Sequence, residues 1–230
     1  MNLLEKEALI AQQAAQFEHS TAEEVLRWAV ETFPNITLAC SFGAEDVVLV
    51  DMLHKIKPTA DIFYLDTDFH FAETYATRDR LQQAYNIQFI RVASSLTPEQ
   101  QAEQLGDKLW ERDPNMCCNL RKVEPLTQIL SQYEAWITGI RRDQAPTRAN
   151  AKKVEYDTKF GLVKFNPLVD WSWDDVWAYI RDHQVIYNPL HDMQYPSIGC
   201  SYCTRQVKDG EDPRAGRWSD SEKTECGLHK

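Results

Sequence analysis

Short apolar segments alternate with segments of helical periodicity along most of the chain, and this alternation constrains the fold more than any other feature. The predicted strands cover residues 36–40, 62–65, 87–92 and 135–139, and the helical segments after them cover residues 44–55, 72–85, 98–105 and 120–133. Strands separated by helices in this way form a parallel sheet with helices on both faces. We therefore predict an α/β fold built on a parallel sheet flanked by helices.

The two ends of the chain have other patterns. Residues 3–18 are a predicted helix, and a second helix is predicted up to about Phe33, with Ser20 as N-cap and Glu23 completing a capping box. Towards the other end, residues 154–169 resemble a β-hairpin, and a helix capped by Ser172 follows. The final stretch is polar with little periodicity, so we predict a domain of residues 1–208 and a flexible C-terminal tail of residues 209–230.

Polar or glycine-containing segments follow three predicted strands, at residues 41–43, 66–68 and 139–142. Ligands of parallel sheets bind beyond the carboxyl ends of the strands, so these segments are expected to line one crevice. Gly43, at the start of a helix, would allow an anion to approach the backbone N–H groups. The loop lacks the lysine and the glycine spacing of a nucleoside-triphosphate P-loop, which argues against ordinary ATP hydrolysis.

Charge and hydropathy exclude several classes of protein. The formal net charge of −10 argues against broad nucleic-acid binding. The apolar runs are too short to span a membrane, and the first residues are acidic where a signal peptide would be basic. We expect a soluble cytoplasmic protein. Its basic residues are bunched, which favours one shared anion pocket; the bunched residues are Arg121, Lys122, Arg141, Arg142, Arg148, Arg214 and Arg217.

Four of the six cysteines are grouped in the sequence. Cys117 and Cys118 are adjacent, and Cys200 and Cys203 form a C-x-x-C pair. In a reducing compartment such thiols indicate metal binding or catalysis more than disulfides. Four sulfur ligands suit either a structural zinc or an iron–sulfur cluster, and adjacent ligands fit a cluster with separate irons more readily than a single ion. The alternative is a redox C-x-x-C, or buried thiols without a metal.

The remaining cysteines differ in their surroundings. Cys40 lies in an apolar strand and is expected to be a core residue. Cys226 lies in the polar tail, where core packing does not explain a thiol. His229 or nearby arginines could favour its thiolate, so Cys226 is a candidate nucleophile. The alternative is an unreactive terminal cysteine.

Taken together, these motifs closely resemble the assimilatory adenylyl-sulfate reductases, the thioredoxin-dependent branch of the phosphoadenylyl-sulfate reductase family. The resemblance extends over residues 36–229. Its most specific parts are the double cysteine, with its continuation Asn-Leu-Arg-Lys-Val-Glu-Pro-Leu, and the tail Glu-Cys-Gly-Leu-His. The segments Ser-Phe-Gly-Ala-Glu-Asp at 41–46 and Thr-Gly-Ile-Arg-Arg at 138–142 also contribute.

The resemblance implies an adenine-nucleotide alpha-hydrolase-like fold and an oxidoreductase of sulfate assimilation, which supplies cysteine biosynthesis. It implies that Cys226 attacks the sulfur of adenylyl sulfate, releases AMP and becomes an S-sulfocysteine, from which thioredoxin frees sulfite. It also implies a redox-inert [4Fe–4S] cluster on the four grouped cysteines. The substrate-binding residues it implies are Ser41, Gly43, Lys122, Arg142, Arg148 and His229, with Arg141 as a less certain neighbour.

Several alternatives stay open at this point. The substrate could carry an additional 3′-phosphate, as phosphoadenylyl sulfate does, or both nucleotides could be accepted. An adenylating or pyrophosphatase enzyme on the same fold would leave Cys226 unused, and a zinc-binding interaction module would leave the crevice empty. The sequence also leaves open a homo-oligomeric assembly and whether glutaredoxin can replace thioredoxin.

Overall fold

A computed structural model describes residues 3–219, 223 and 225–228. The strands are β1 (Ile36–Ala39), β2 (Asp61–Asp66), β3 (Ile90–Ala93), β4 (Ala135–Ile137), β5 (Val154–Asp157) and β6 (Leu162–Phe165). The α-helices are α1 (Leu3–Phe17), α2 (Ala22–Thr32), α3 (Ala44–Ile56), α4 (Ala72–Tyr85), α5 (Pro98–Leu105), α6 (Leu109–Arg112), α7 (Pro114–Cys118), α8 (Glu124–Leu130) and α9 (Trp173–Asp182). Within the described residues, none of these helices has the length and apolar character needed to cross a membrane.

The six strands form one sheet in the order β3-β2-β1-β4-β6-β5. All neighbouring pairs are parallel except β5 and β6, which form the predicted hairpin and run antiparallel to each other. Through β6, which pairs with β4, the hairpin extends the central sheet instead of standing apart from it. The predicted α/β class with a parallel sheet is therefore confirmed, and one antiparallel strand is added at its edge.

Both faces of the sheet are covered by apolar clusters. Ile62 and Ile137 belong to the larger cluster, together with residues of α2, α3 and α9. Their sequence neighbours Phe63 and Trp136 belong to the other cluster, together with residues of α8. Successive side chains of a strand point to opposite faces, so each of these two strands supplies one residue to the cluster on either side of the sheet. The central strands are therefore buried on both sides, as a parallel sheet requires.

The N-cap of α2 is Thr21, one residue after the predicted Ser20. Thr21 Oγ1 accepts a hydrogen bond from the Glu24 backbone N–H at 3.2 Å, and the Glu24 carboxylate accepts one from the Thr21 N–H at 2.7 Å. Ser20 instead donates its N–H to the carbonyl of Phe17 at the end of α1. The sequence Ser-Thr-Ala-Glu-Glu offers the capping-box spacing twice, and the prediction of Ser20 with Glu23 was wrong by one residue.

Candidate active site

A cavity lies at the point where the order of the strands reverses. From β1 the chain builds β2 and β3 on one side, whereas β4 lies on the other side of β1. A cavity of about 350 Å³ opens there, lined by Ser41 and Gly43 after β1 and by Thr138 and Gly139 after β4. Ligands of open α/β sheets bind at such a switch point. The volume is also in the range of small-molecule sites.

The loop between β1 and α3 has a constrained backbone. Phe42 has a φ of 62°, which is unusual for a bulky residue, and its ring packs edge-on against that of Phe89, with 5.0 Å between centroids. Gly43 is the N-cap residue of α3 and makes no side-chain capping bond. The first N–H groups of this thirteen-residue helix therefore begin at the cavity wall, where they favour an anion.

Asp46 holds this loop in place from inside the site. One oxygen of its carboxylate accepts hydrogen bonds from the backbone N–H and the hydroxyl of Ser41, both at 2.6 Å. Burial of the carboxyl raises the pKa of Asp46 to about 6, although the bonds from Ser41 oppose this shift. Gly139 packs against the same carboxylate, and a Cβ at position 139 would overlap it. The backbone of Gly139 and the carboxylate of Asp46 thus approach each other closely at the cavity.

Four cationic side chains that line the cavity form what we call the cationic wall: Lys122, Arg148, Arg214 and Arg217. Lys122 is 9% exposed. Burial alone would lower its pKa, but the thiols of Cys200, Cys226 and Cys118 favour its charged form and raise that pKa above its ordinary value. A buried ammonium that shares a cavity with the guanidinium groups of three arginines is suited to a ligand with several negative oxygens.

The described part of the tail closes one side of this cavity. Cys226 and Leu228 line the cavity, and Leu228 also packs against the apolar cluster on the α8 face of the sheet. Glu225 is buried and pairs with Arg148 and Arg214, at 3.0 Å and 3.2 Å. These pairings hold the pKa of Glu225 below its ordinary value, in spite of a burial that alone would raise it. The tail therefore brings a thiol to the cationic wall.

The grouped cysteines surround a second, much smaller cavity. Cys117 and Cys118 end α7, and the chain continues from there as a π-helix, Asn119–Val123. The π-helix is rare and is frequently found at functional sites. Cys200 and Cys203 flank a 3₁₀ turn, and all four cysteines line a cavity of about 10 Å³. The Cys200 thiol also donates to the hydroxyl of Thr67, with 3.3 Å between sulfur and oxygen.

The chemistry of these four sulfurs fits a metal–sulfur group. Burial, together with the charges of Cys118, Cys200 and Cys203, raises the pKa of Cys117 to about 12. Burial likewise raises the pKa of Cys203 to about 11. The four thiols thus lie close enough to oppose one another's ionisation, which a bound cation would reverse.

The four sulfurs match the donor set of more than one kind of metal centre. Within the ranges that the structure describes, no group of three or more His, Cys, Asp or Glu side chains is arranged to hold one metal ion. A tetrahedral zinc brings its sulfurs to about 4 Å from one another, because each Zn–S bond is about 2.3 Å. An iron–sulfur cluster is held by cysteine thiolates as well, commonly by four of them. The four sulfur donors around one small cavity therefore suit either a zinc ion or an iron–sulfur cluster.

The structure brings most of the predicted site residues to the larger cavity, but not all. Its lining includes Ser41, Gly43, Lys122, Arg148 and Cys226. His229 lies outside the described residues. No residue of the predicted segment 66–68 is among the described residues that line the cavity. Asp66 and Asp68 instead both accept hydrogen bonds from Arg91.

Arg142 lies away from the cavity. Its guanidinium donates to the carboxylate of Glu18 at 2.5 Å and to the carbonyl of Ala151 at 2.8 Å. Arg141, whose backbone is extended, instead lines the cavity and donates to Glu45 at 2.9 Å. Arg142 begins a 3₁₀ turn, and the two neighbouring side chains leave the backbone in different directions, so that only Arg141 faces the ligand space.

Arg214 and Arg217 line the cavity, as the shared pocket predicted from the bunched basic residues requires, although neither was named as a substrate-binding residue. Arg217 donates to the hydroxyl of Ser197 and the carbonyl of Ile198, and its guanidinium lies 4.4 Å from the centre of the Trp218 ring. Their position depends on how residues 204–218 fold back, including a bridge between Thr204 and Arg217. The spacing Arg-Ala-Gly-Arg-Trp was the available signal, but it does not predict this return.

Comparisons with known sequences agree on one family. Residues 35–206 match the profile of the phosphoadenosine phosphosulfate reductase domain. The chain is 53% identical over 215 residues to an adenosine 5′-phosphosulfate reductase of Halalkalibacterium halodurans, covering 93% of each chain. It is 50% identical over 211 residues to adenosine 5′-phosphosulfate reductase 1 of Bacillus subtilis, covering 91% of each chain.

Comparisons with solved structures agree with this result. The crystal structure of the phosphoadenylyl-sulfate reductase of Candida auris, a phosphate complex, has a TM-score of 0.77 and 34% sequence identity, covering 86% of this chain and 96% of that one. An FMN adenylyltransferase of Candida glabrata has a TM-score of 0.56 at 15% identity, covering 92% of this chain and 80% of that one. The second likeness concerns the fold alone.

Proposed function

Because the chain belongs to the phosphoadenosine phosphosulfate reductase family, we propose that it reduces adenylyl sulfate to sulfite and AMP, with Cys226 as nucleophile and thioredoxin as reductant. The relatives at about 50% identity carry the name of this activity. The observation that carries the proposal is the meeting of Cys226 with Lys122, Arg148 and Arg214 around one cavity at the switch point of the sheet.

In the first step, the Cys226 thiolate attacks the sulfur of the substrate. A sulfur–sulfur bond forms, the bond from sulfur to the bridging phosphate oxygen breaks, and AMP leaves with the electron pair of that bond. The protein then carries an S-sulfocysteine. Negative charge grows on the departing phosphate during this step, and the ammonium of Lys122 with the guanidinium groups of Arg148 and Arg214 would stabilise it.

In the second step, a thiol of reduced thioredoxin attacks Sγ of Cys226. Sulfite leaves with the electron pair of the sulfur–sulfur bond, and a mixed disulfide forms between the two proteins. The second thioredoxin thiol then attacks this disulfide, which returns the Cys226 thiol and leaves thioredoxin oxidised. The two electrons that reduce the sulfonyl group thus come from thioredoxin. The tail must open between the steps, because a half-buried Cys226 cannot reach a second protein.

The nucleotide would lie along the loop of Ser41 and Gly43, with its phosphate towards the start of α3. Asp46, which holds Ser41, keeps this loop in one conformation. The four grouped cysteines would hold a [4Fe–4S] cluster. Bound there, it would connect α7 to the turn at Cys200, while the thiols of Cys226 and thioredoxin carry the electrons. Lys122 follows Cys118 by four residues and so connects the two sites.

A mass measurement tests the first step. We expect incubation with adenylyl sulfate, without any reductant, to add the mass of one SO₃ group to the intact protein. The modified peptide should contain Cys226, and Cys226→Ser should remain unmodified while binding AMP normally. Cys40→Ala is the matched control, because Cys40 also borders the cavity but is buried in the core, and it should still form the adduct. An adduct on any other residue would contradict the proposal.

The 3′-phosphate defines the second candidate substrate. The solved relative is named a phosphoadenylyl-sulfate reductase, whereas the curated relatives are named for the nucleotide without that phosphate. We expect adenylyl sulfate to give the higher rate of adduct formation when both nucleotides are compared at equal, limiting concentrations. A faster reaction with phosphoadenylyl sulfate would reassign the substrate but keep the role of Cys226.

A further inference from the structure

Glu225 is a buried acid that the proposed reaction does not use. Its carboxylate is 5% exposed and accepts four hydrogen bonds. One oxygen accepts from the hydroxyl of Thr147 at 3.1 Å and from Nε of Arg148 at 3.0 Å. The other accepts from Nη2 of Arg148 at 3.0 Å and from Nη2 of Arg214 at 3.2 Å. The desolvation that would make a buried carboxylate unfavourable is therefore offset at both oxygens.

The partners of Glu225 belong to the domain and to the start of the tail, whereas Glu225 itself precedes the nucleophile. Adjacent Cα atoms are about 3.8 Å apart, so fixing Glu225 leaves Cys226 little room to move. Apart from the apolar packing of Leu228, the other contacts of this stretch are polar and more exposed. Lys159, which donates to the carbonyl of Gly227, is an exposed residue, and ion pairs or hydrogen bonds of exposed side chains contribute little. Among the tail carboxylates that the structure describes, Glu225 alone is buried.

The same two arginines face the ligand space. Arg148 and Arg214 both line the cavity, and they are the guanidinium groups that would neutralise the phosphosulfate. Arg148 presents two of its nitrogens to Glu225 in a bidentate arrangement and directs Nη1 to Gln144 at 2.5 Å. A ligand anion at this wall would thus meet cations that the tail carboxylate already orients.

We infer that Glu225 is a positioning residue: through Arg148 and Arg214 it fastens the tail across the cavity and holds the Cys226 thiol at the cationic wall. This inference rests on the proposed function of Cys226. Release of the carboxylate from the arginines frees the tail, and the sulfonated Cys226 then becomes accessible to the thioredoxin thiol. The same contact therefore sets how well the thiol is aimed and how readily it is exposed.

The test measures the exposure of Cys226 in the substrate-free, cluster-loaded protein. Glu225→Gln keeps the size of the side chain and removes its charge. Glu211→Gln is the matched control, because Glu211 is also a tail glutamate held by an arginine, Arg205, but it lies outside the cavity lining. Alkylation by iodoacetamide is followed at the Cys226 peptide by mass spectrometry, and the plateau rate of its pH profile is compared, so that altered thiol ionisation does not count as exposure.

We expect the plateau rate to rise about tenfold or more in Glu225→Gln and to stay unchanged in Glu211→Gln. Hydrogen bonds to charged groups stabilise a folded contact by an amount that corresponds to about a tenfold change in its equilibrium constant, or more. In single turnovers at saturating adenylyl sulfate, adduct formation should slow in Glu225→Gln. Glu225→Asp, which keeps the charge one methylene farther away, should be intermediate in both measurements. It also serves as the test if Glu225→Gln does not fold.

Equal plateau rates in the wild-type protein and the folded Glu225 variants would overturn the inference. So would faster alkylation together with an unchanged single-turnover rate, because the thiol would then need no aiming. Failure of the proposed function looks different: the wild-type protein would form no adduct with adenylyl sulfate. The alkylation comparison uses no substrate and would still report on the tail.

Discussion

The guanidinium of Arg217 fills the space that a side chain at Gly199 would need. A Cβ at position 199 would overlap Nη2 and Cζ of Arg217. Gly199 immediately precedes Cys200, so one glycine adjoins both the cationic wall and the sulfur cluster site. The close approach, not a special φ angle, is what requires glycine here.

We therefore expect Gly199→Ala to lower kcat/KM for adenylyl sulfate by about tenfold or more, because displacing a positioned guanidinium weakens the binding of the developing charge. Steady-state assays with thioredoxin measure this. Gly210→Ala is the contrasting variant: a Cβ there meets nothing within 4 Å, but its φ of 82° makes alanine strained. It should lose stability, by about 1 kcal/mol, and keep its activity. Full activity of Gly199→Ala would show that the reaction does not depend on the position of the Arg217 guanidinium.

Arg148 and Arg142 should differ sharply in their importance. Arg148→Ala removes the bidentate partner of Glu225 and a cation of the cavity, so kcat/KM should fall by roughly 100-fold. Arg142→Ala breaks a half-exposed pair with Glu18, which contributes at most about 1 kcal/mol to stability, and kcat/KM should stay within about threefold. A large loss of activity in Arg142→Ala would restore the role that the family resemblance implied for that residue.

The buried carboxyl of Asp46 should make the stability depend on pH. Its pKa is about 6 in the folded protein, raised by burial from an ordinary value of 3.8. A raised pKa means that the folded protein binds the proton more tightly, so this contribution is present at low pH and is lost as pH rises through about 6. Between about pH 5 and about pH 7 the loss is about 1.4 kcal/mol, since one pKa unit corresponds to 1.36 kcal/mol.

Asp46→Asn cannot titrate and should not show this loss. The difference in the free energy of unfolding between Asp46→Asn and the wild-type protein, from urea titrations, should shift by about 1.4 kcal/mol in favour of the variant between about pH 5 and about pH 7. Asp61→Asn is a useful control, because Asp61 is exposed and lies at the start of β2, at the end of the strand away from the cavity. Its carboxylate accepts a hydrogen bond from the hydroxyl of Tyr133. A pH-independent difference for Asp46→Asn would mean that the carboxyl titrates normally.

The four grouped cysteines should bind iron and sulfide together. Anaerobically purified protein is expected to be brown, with about four irons and four sulfides per chain, and Cys203→Ser should lose both. Cys40→Ala, which removes a buried thiol from the apolar core, should keep the colour at some cost in stability. A colourless protein with one equivalent of zinc would instead support the structural-zinc alternative.

The sequence predicted the framework of the fold well, because the strands and helices of the sheet depend on local periodicity. The helices at 72–85 and 98–105 were predicted to the residue. The sequence did not show which of two adjacent, chemically similar residues takes a given role. Ser20 or Thr21 could cap α2, and Arg141 or Arg142 could face the cavity, since short-range pattern is the same for both members of each pair.

The candidate site was predicted in part, and the missing parts come from long-range packing. The roles of Arg214 and Arg217 require the segment after Cys203 to return to the cavity, and no periodic pattern indicates that return. The left-handed Phe42 is likewise invisible in the sequence, because a bulky residue with positive φ is maintained only by its surroundings. The sequence motifs predicted the kind of site, whereas tertiary contacts determine which of the neighbouring side chains line the cavity.

The π-helix after the double cysteine has a consequence for how this segment tolerates change. A turn closed by i→i+5 hydrogen bonds contains one residue more than an α-helical turn. Shortening residues 119–123 by one would create an ordinary, intrinsically more favourable helix, yet it would rotate everything on one side of the deletion relative to the other. The thiols and Lys122 would lose their common orientation. Local stability and chemical alignment are thus opposed in these five residues, and the wide turn is the geometry that satisfies the second.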